Sequence, residues 1–205
     1  MELLRTANAG ILLKMDGTTI LLDGVCRPYA NYLGTPDGLR EQLLQNPPDA
    51  LVFTHRHPDH CDEEFADTFH KNTHRPILWA EEPCPIRVGN LEITPAPTHH
   101  SGNVKIDHVS YVIQGSRCLW FLGDASPLNR LSEALPRPDV LVCTFAYACT
   151  PTVWKRTKAL GAKKIILLHL PDRAEDPHRL WEAVEQTTAG DPVLYIPSIG
   201  EKRIL

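Results

Sequence analysis

The chain has 205 residues, 42% of them hydrophobic and 22% charged, with a formal net charge of −4. This is the composition of an ordinary globular protein with enough apolar residues to build a core, and it offers no electrostatic reason to expect nucleic acid or an anionic membrane as partner. Met1-Glu2-Leu3-Leu4-Arg5 does not read as a signal peptide, and apolar runs such as Ile165 to Leu168 are far too short to span a bilayer.

The six cysteines (Cys26, Cys61, Cys84, Cys118, Cys143, Cys149) form no CxxC pair and read as reduced thiols of a cytoplasmic protein. The length suits a single domain over residues 1–205.

In chain order, Leu3-Leu4, Ile11-Leu12-Leu13 and Ile20-Leu21-Leu22 predict a β-meander, with Asp16-Gly17 as a hairpin signal. Thr35-Pro36-Asp37 reads as a helix start with Thr35 as N-cap. Leu39, Leu43 and Leu44 form its apolar face. Ala50 to Phe53 suits a buried strand, and Asp62-Glu63-Glu64 opens a helix carrying Phe65 and Phe69. Further strands are expected at 77–79, 86–88, 91–93, 109–113 and 118–122. Three helix-then-strand units follow: 128–135 before 140–142, 152–160 before 164–168, and 177–186 before 193–196. That alternation predicts an α/β architecture rather than an all-β sandwich.

Ten histidines is a high count for this length, and their clustering is the specific clue. His55 and His57 alternate along an extended backbone just past a strand, so both imidazoles face one way. Pro58 forces a turn that aims Asp59 and His60 at a neighbouring position. Imidazole and carboxylate donors suit zinc, manganese or iron, and the lack of thiolates argues against a structural cysteine site. A polar surface loop is the bland alternative. Three histidines and an aspartate within six residues at a strand end argue against it.

The segment His55-x-His57-x-Asp59-His60 resembles the signature of the metallo-β-lactamase superfamily. Four further positions match that family in order: Asp23 after Ile20-Leu21-Leu22, His99-His100 ahead of a strand, Asp124 in Leu122-Gly123-Asp124, and His169 after Ile165 to Leu168. The resemblance covers nearly the whole chain. It implies a four-layer αββα sandwich of two mixed sheets flanked by helices. It also implies a dinuclear, zinc-dependent hydrolase, with Mn2+ or Fe as alternative ions. His55, His57 and His100 (with His99 as the alternative) would bind one ion, Asp59, His60 and His169 the second, and Asp124 both. Asp59 or Asp124 would orient the attacking water. Asp23 would buttress the site, with His108 a weaker candidate for that role.

The implied substrate is a small ester, lactone or phosphodiester, as in the compact members related to ascorbate-lactone hydrolases and small phosphodiesterases. The short stretch between His60 and His100, and the lack of a further C-terminal domain, argue against RNA processing. Two alternatives stand beside this reading: a di-iron redox enzyme on the same fold, and a metal-binding protein without turnover.

Around the site, Arg27, Tyr29 and Tyr32 either contact substrate or pack their loop. Tyr147 either stabilises an oxyanion or plays a structural role. Ser126 is expected to cap a helix, Cys61 to be a small buried side chain, and Arg56 to point outward.

Overall fold

The computed structural model describes residues 1–81, 83–102, 105–129 and 135–205. The chain begins with β1 (Glu2–Arg5), β2 (Ile11–Met15) and β3 (Thr18–Leu22), an antiparallel meander. Asp16 and Gly17 both have positive φ, 52° and 79°, which the tight β2–β3 turn requires. Then come α1 (Asp37–Gln45), β4 (Ala50–Val52), α2 (Glu63–Thr73) and β5 (Ile77–Leu78). A second meander follows, with β6 (Ile86–Val88), β7 (Leu91–Pro97), β8 (Val109–Gln114) and β9 (Cys118–Phe121). The rest is β10 (Val140–Thr144), α3 (Pro151–Ala159), β11 (Lys164–Leu168), α4 (Leu180–Thr188), β12 (Leu194–Tyr195) and β13 (Lys202–Ile204).

The strands form two mixed sheets, ordered β13-β1-β2-β3-β4-β5 and β12-β11-β10-β9-β8-β7-β6. In each, an antiparallel meander runs into parallel strands: β3, β4 and β5 in the first, β9 to β12 in the second.

Side-chain alternation along the strands sets the layers. Ile20, Leu22 and Val52 face Phe121, Val142 and Ile166 in one buried cluster between the sheets. The opposite faces are apolar as well. Leu21, Leu51 and Phe53 pack with Leu43 of α1 and with Phe65 and Phe69 of α2. Leu141, Ile165 and Leu167 pack with Trp154 of α3 and Val184 of α4. The result is the expected αββα sandwich.

Some boundaries differ from the sequence reading. The N-cap of α1 is Pro36, not Thr35. The Thr35 hydroxyl is buried and pins the preceding loop, accepting from the Cys26 amide and donating to the Gly24 carbonyl. The helix expected from Pro177 starts at Leu180, because the Asp176 carboxylate accepts from the amides of Leu180 and Trp181. The helix expected over 128–135 falls largely outside the described residues. β13 was not expected; it closes the first sheet against β1.

Leu13 is fully buried between the sheets. Leu13→Ala should cost about 2–5 kcal/mol of stability, measured by urea unfolding, while leaving bound metal unchanged.

Candidate metal centre

The sequence-predicted residues converge at the ends of strands β3, β4, β7, β9 and β11. Crevices at the carboxyl ends of parallel strands are where α/β folds collect their sites. Asp23 follows β3 and lies on a left-handed backbone, φ 45°. It is fully buried, and its carboxylate accepts three hydrogen bonds. Oδ1 takes the Thr54 amide at 2.8 Å; Oδ2 takes the Thr54 hydroxyl at 2.6 Å and His60 Nδ1 at 2.9 Å.

These bonds set two tautomers. Thr54 has one hydroxyl proton and gives it to Asp23, which can only accept. At 3.0 Å from His55 Nδ1, the Thr54 oxygen must therefore accept from the ring. His55 and His60 thus both carry protons on Nδ1 and leave Nε2 as the free lone pair. His100 does the same, with Nδ1 donating to the Ser101 carbonyl at 2.6 Å. The Nε2 atoms of all three are buried with no hydrogen-bond partner among the described residues, as are Asp124 Oδ1 and both ring nitrogens of His169. Buried polar atoms in folded proteins are rarely left so. Their shared orphaning points to a group that belongs between them.

The donors sort into neighbouring groups. Donor atoms of His55, His57 and His100 lie within 4.8 Å of one another, and so do those of Asp59, His60 and His169. Asp124 spans the groups. Its Oδ1 is 3.3 Å from His60 Nε2, and its Oδ2 is 3.5 Å from His100 Nε2 and 3.4 Å from His169 Nε2. Asp23, His55 and His60 also group by distance, but both Asp23 oxygens are already engaged by Thr54 and His60, so Asp23 supports the site rather than offering a free donor.

Local backbone geometry serves this arrangement. Gly123, before Asp124, has φ 52°, and a Cβ there would sit within 2.8 Å of the Thr54 side chain. His169 also has a left-handed backbone, φ 62°. Its amide donates to the Asn8 carbonyl, and its ring packs edge-to-face with Tyr32 at 4.5 Å between centroids.

Electrostatics follow the packing. Burial, with His60 alongside, pushes the His55 pKa down; burial with His100 does the same to His57. Burial opposes charge on His60, yet Asp124 and Asp23 outweigh it and hold its pKa well above the usual histidine range. His100 is likewise raised by Asp124 and the Ser101 carbonyl against its burial. Burial alone would raise Asp124, but His169 and His60 hold it well below the ordinary carboxylate range.

The remaining expected residues take up other places. His99 is exposed, and its backbone is clasped by the Asn129 side chain. The structure brings His100, not His99, into the cluster. Tyr147 is buried in the α3-side core and donates to the Ser126 carbonyl at 3.3 Å, so its phenol is engaged structurally. Arg27 pairs with Asp62 and Glu64 rather than facing the cluster. Arg56 points outward to Glu63 and Glu81 over Trp79. Cys61 packs in the helix-side core. Sequence reasoning missed Thr54, although its place directly before His55 was a usable signal.

A family model described as the beta-lactamase superfamily domain matches residues 6–178. The chain belongs to this family. Its architecture is the metallo-β-lactamase fold, and the His/Asp cluster fits the binding of divalent metal ions.

Among solved structures, the chain is similar to a possible metal-dependent hydrolase from Veillonella parvula (17% identity, 100% of this chain and 99% of that one, TM-score 0.72). It is also similar to the metallo hydrolase Igni18 from the archaeon Ignicoccus hospitalis (19%, 98% and 97%, TM-score 0.69). CmlA, a diiron β-hydroxylase from Streptomyces venezuelae, superposes with TM-score 0.66 at 15% identity, over 100% of this chain and 53% of that one. No curated protein sequence matches. Among the described residues, no helix is long and apolar enough to cross a membrane.

Thr54→Val removes the hydroxyl that fixes His55, and Asp23→Asn replaces the acceptor that fixes His60. Each should weaken metal binding by about 10- to 100-fold, read by competition with a chromophoric chelator. Unchanged affinity in both would remove the relay from the site's design.

The raised pKa values of His60 and His100 give a pH dependence with a definite sign. Raised values favour a second proton on these rings in the absence of metal, and an incoming cation must displace it. Metal affinity should therefore rise with pH up to those raised values. Calorimetry in buffers of different ionisation enthalpy should register proton release, and its absence at neutral pH would contradict this assignment.

Proposed function

We propose that this chain is a dinuclear metal-dependent hydrolase of small esters, lactones or phosphodiesters, with zinc as its ion. The observation that carries the reading is the set of buried, unpartnered imidazole Nε2 atoms arranged on either side of Asp124. In this reading His55, His57 and His100 hold the first ion, and Asp59, His60 and His169 hold the second. Asp124 contributes to both. Nitrogen and oxygen donors without thiolate suit zinc, and also manganese or iron.

Divalent ions bound there supply Lewis acidity and lower the pKa of water toward neutrality. The chain's own groups do the rest. Asp23 and Thr54 hold the imidazoles in one tautomer. In this reading Asp59 or Asp124, both kept ionised by neighbouring histidines against the effect of burial, would orient the attacking water and take part in proton transfer. Tyr32, half-buried against His169 and near Asp59 and Asp124, faces the same space. A single domain over residues 1–205 and a cytoplasmic location belong to the same proposal. The first rests on the shared core between the two sheets, the second on the scattered free cysteines.

The similarity to CmlA keeps one second reading open, a di-iron redox enzyme using the same donors. Protein of measured metal content, assayed on phosphodiesters, lactones and β-lactams, separates the readings. Turnover with zinc loaded supports the hydrolase. An iron-specific absorbing centre with no hydrolysis supports the redox enzyme, and full metal loading with neither supports a binding protein without turnover. Asp59→Ala and His169→Ala should each lower metal content from about two per chain toward one. Full occupancy in both variants would refute the second-ion assignment.

A further inference from the structure

β7 ends at Pro97, so the segment carrying His99 and His100 lies beyond its ladder. It is held instead by the loop after β9. The Ser101 amide donates to the Asp124 carbonyl at 2.7 Å, and the Ser126 amide donates to the His99 carbonyl at 2.8 Å. His100 and Ala125 form an isolated antiparallel bridge. Asn129 closes this pairing with its side chain. Its Oδ1 accepts from the His99 amide at 2.8 Å. Its Nδ2 donates to the His99 carbonyl at 2.7 Å and to the Ser126 carbonyl at 2.9 Å. A carboxamide has two amino protons, and both are used. Its orientation is thereby fixed, because turning it over would set its oxygen against two carbonyls and its nitrogen against an N–H.

The clasp falls on the backbone of His99, whose side chain is exposed. Adjacent residues of a paired segment face opposite sides. Holding His99 in this register therefore turns His100 inward, and a slip of one residue would exchange the two. The inward imidazole brings its Nε2 to 3.5 Å from Asp124 Oδ2. Asp124 lies on the same loop that Asn129 ties to His99, so one carboxamide sets the spacing of two donors. Its bonds to His99 are exposed. Water can replace them when the side chain is removed, and the fold then loses little. The register is what would be lost, and a metal site needs its donors placed to within about 0.5 Å.

We propose that Asn129 is a positioning residue of the metal centre, locking the register that presents His100 rather than His99 and holding it against Asp124. This rests on the metal-centre reading above. The unmodified protein, labelled with 15N-histidine and loaded with 113Cd, should show one-bond cadmium–nitrogen coupling at His100 and none at His99. The His99 amide should exchange slowly with solvent although its side chain is exposed. Coupling at His99, or fast exchange of its amide, overturns this inference alone, whereas no coupling at any histidine overturns the metal-centre reading itself. Asn129→Ala should lower cadmium affinity at the first position about tenfold and shift the His100 signal, while the second position and the thermal melt stay close to those of the unmodified protein. Asn129→Asp keeps a turn-forming residue and the acceptor for the His99 amide, but sets a carboxylate against two carbonyls. It should lower the affinity at least as much. Unchanged affinity and coupling in both variants overturns the proposal, and so does an equal loss at both positions in step with a lowered melting temperature. If a variant does not fold, the coupling and amide exchange of the unmodified protein decide.

Discussion

The buried carboxylate of Asp23 is the contact on which the centre depends. It ties the end of β3 to the end of β4 through two bonds to Thr54, and it reaches His60 across the turn that follows. One side chain thereby fixes the backbone at the mouth of the first sheet and the proton positions of two imidazoles. It carries its charge where solvent is excluded, which is tolerable only because three donors surround it.

The fold supplies what Asp23 organises. In both sheets, parallel strands end at the same edge of the sandwich, so residues far apart in the chain meet there. Two hydrogen bonds join the sheets beside the site: Val109 amide to Thr54 carbonyl, and Tyr111 hydroxyl to Phe53 carbonyl. These hold β8 against the end of β4. Left-handed backbone at Asp23 and His169 is costly for residues other than glycine. The surrounding packing holds both where their side chains must turn inward.

Three carboxylates, Asp23, Asp59 and Asp124, lie close together among histidines. Asp124 pulls the pKa values of His60 and His100 upward against the effect of burial, and Asp23 adds to the pull on His60. Divalent ions would satisfy the orphaned nitrogens and the carboxylates together. Proton and metal compete for the same lone pairs, which couples affinity to pH.

Much of the fold was legible in the sequence. Apolar runs bounded by turn residues marked most strands, because burial on both faces demands such runs. The helices on each side followed from their periodicity. Misplaced boundaries arose where a side chain outside the local pattern took the backbone donors, as Asp176 does ahead of α4. The Tyr147 phenol could not be placed from its neighbours in sequence, since its partner is the Ser126 carbonyl on another loop.

The sequence by itself determined the donor types and the His-x-His-x-Asp-His spacing, because both are covalent and local. Only the tertiary structure decided that His100 rather than His99 turns inward and that Thr54 relays Asp23 to His55. Each of these depends on hydrogen bonds between separate strand ends. A proton's place on an imidazole is set by whichever acceptor the fold brings to its other nitrogen, and no stretch of sequence contains that acceptor.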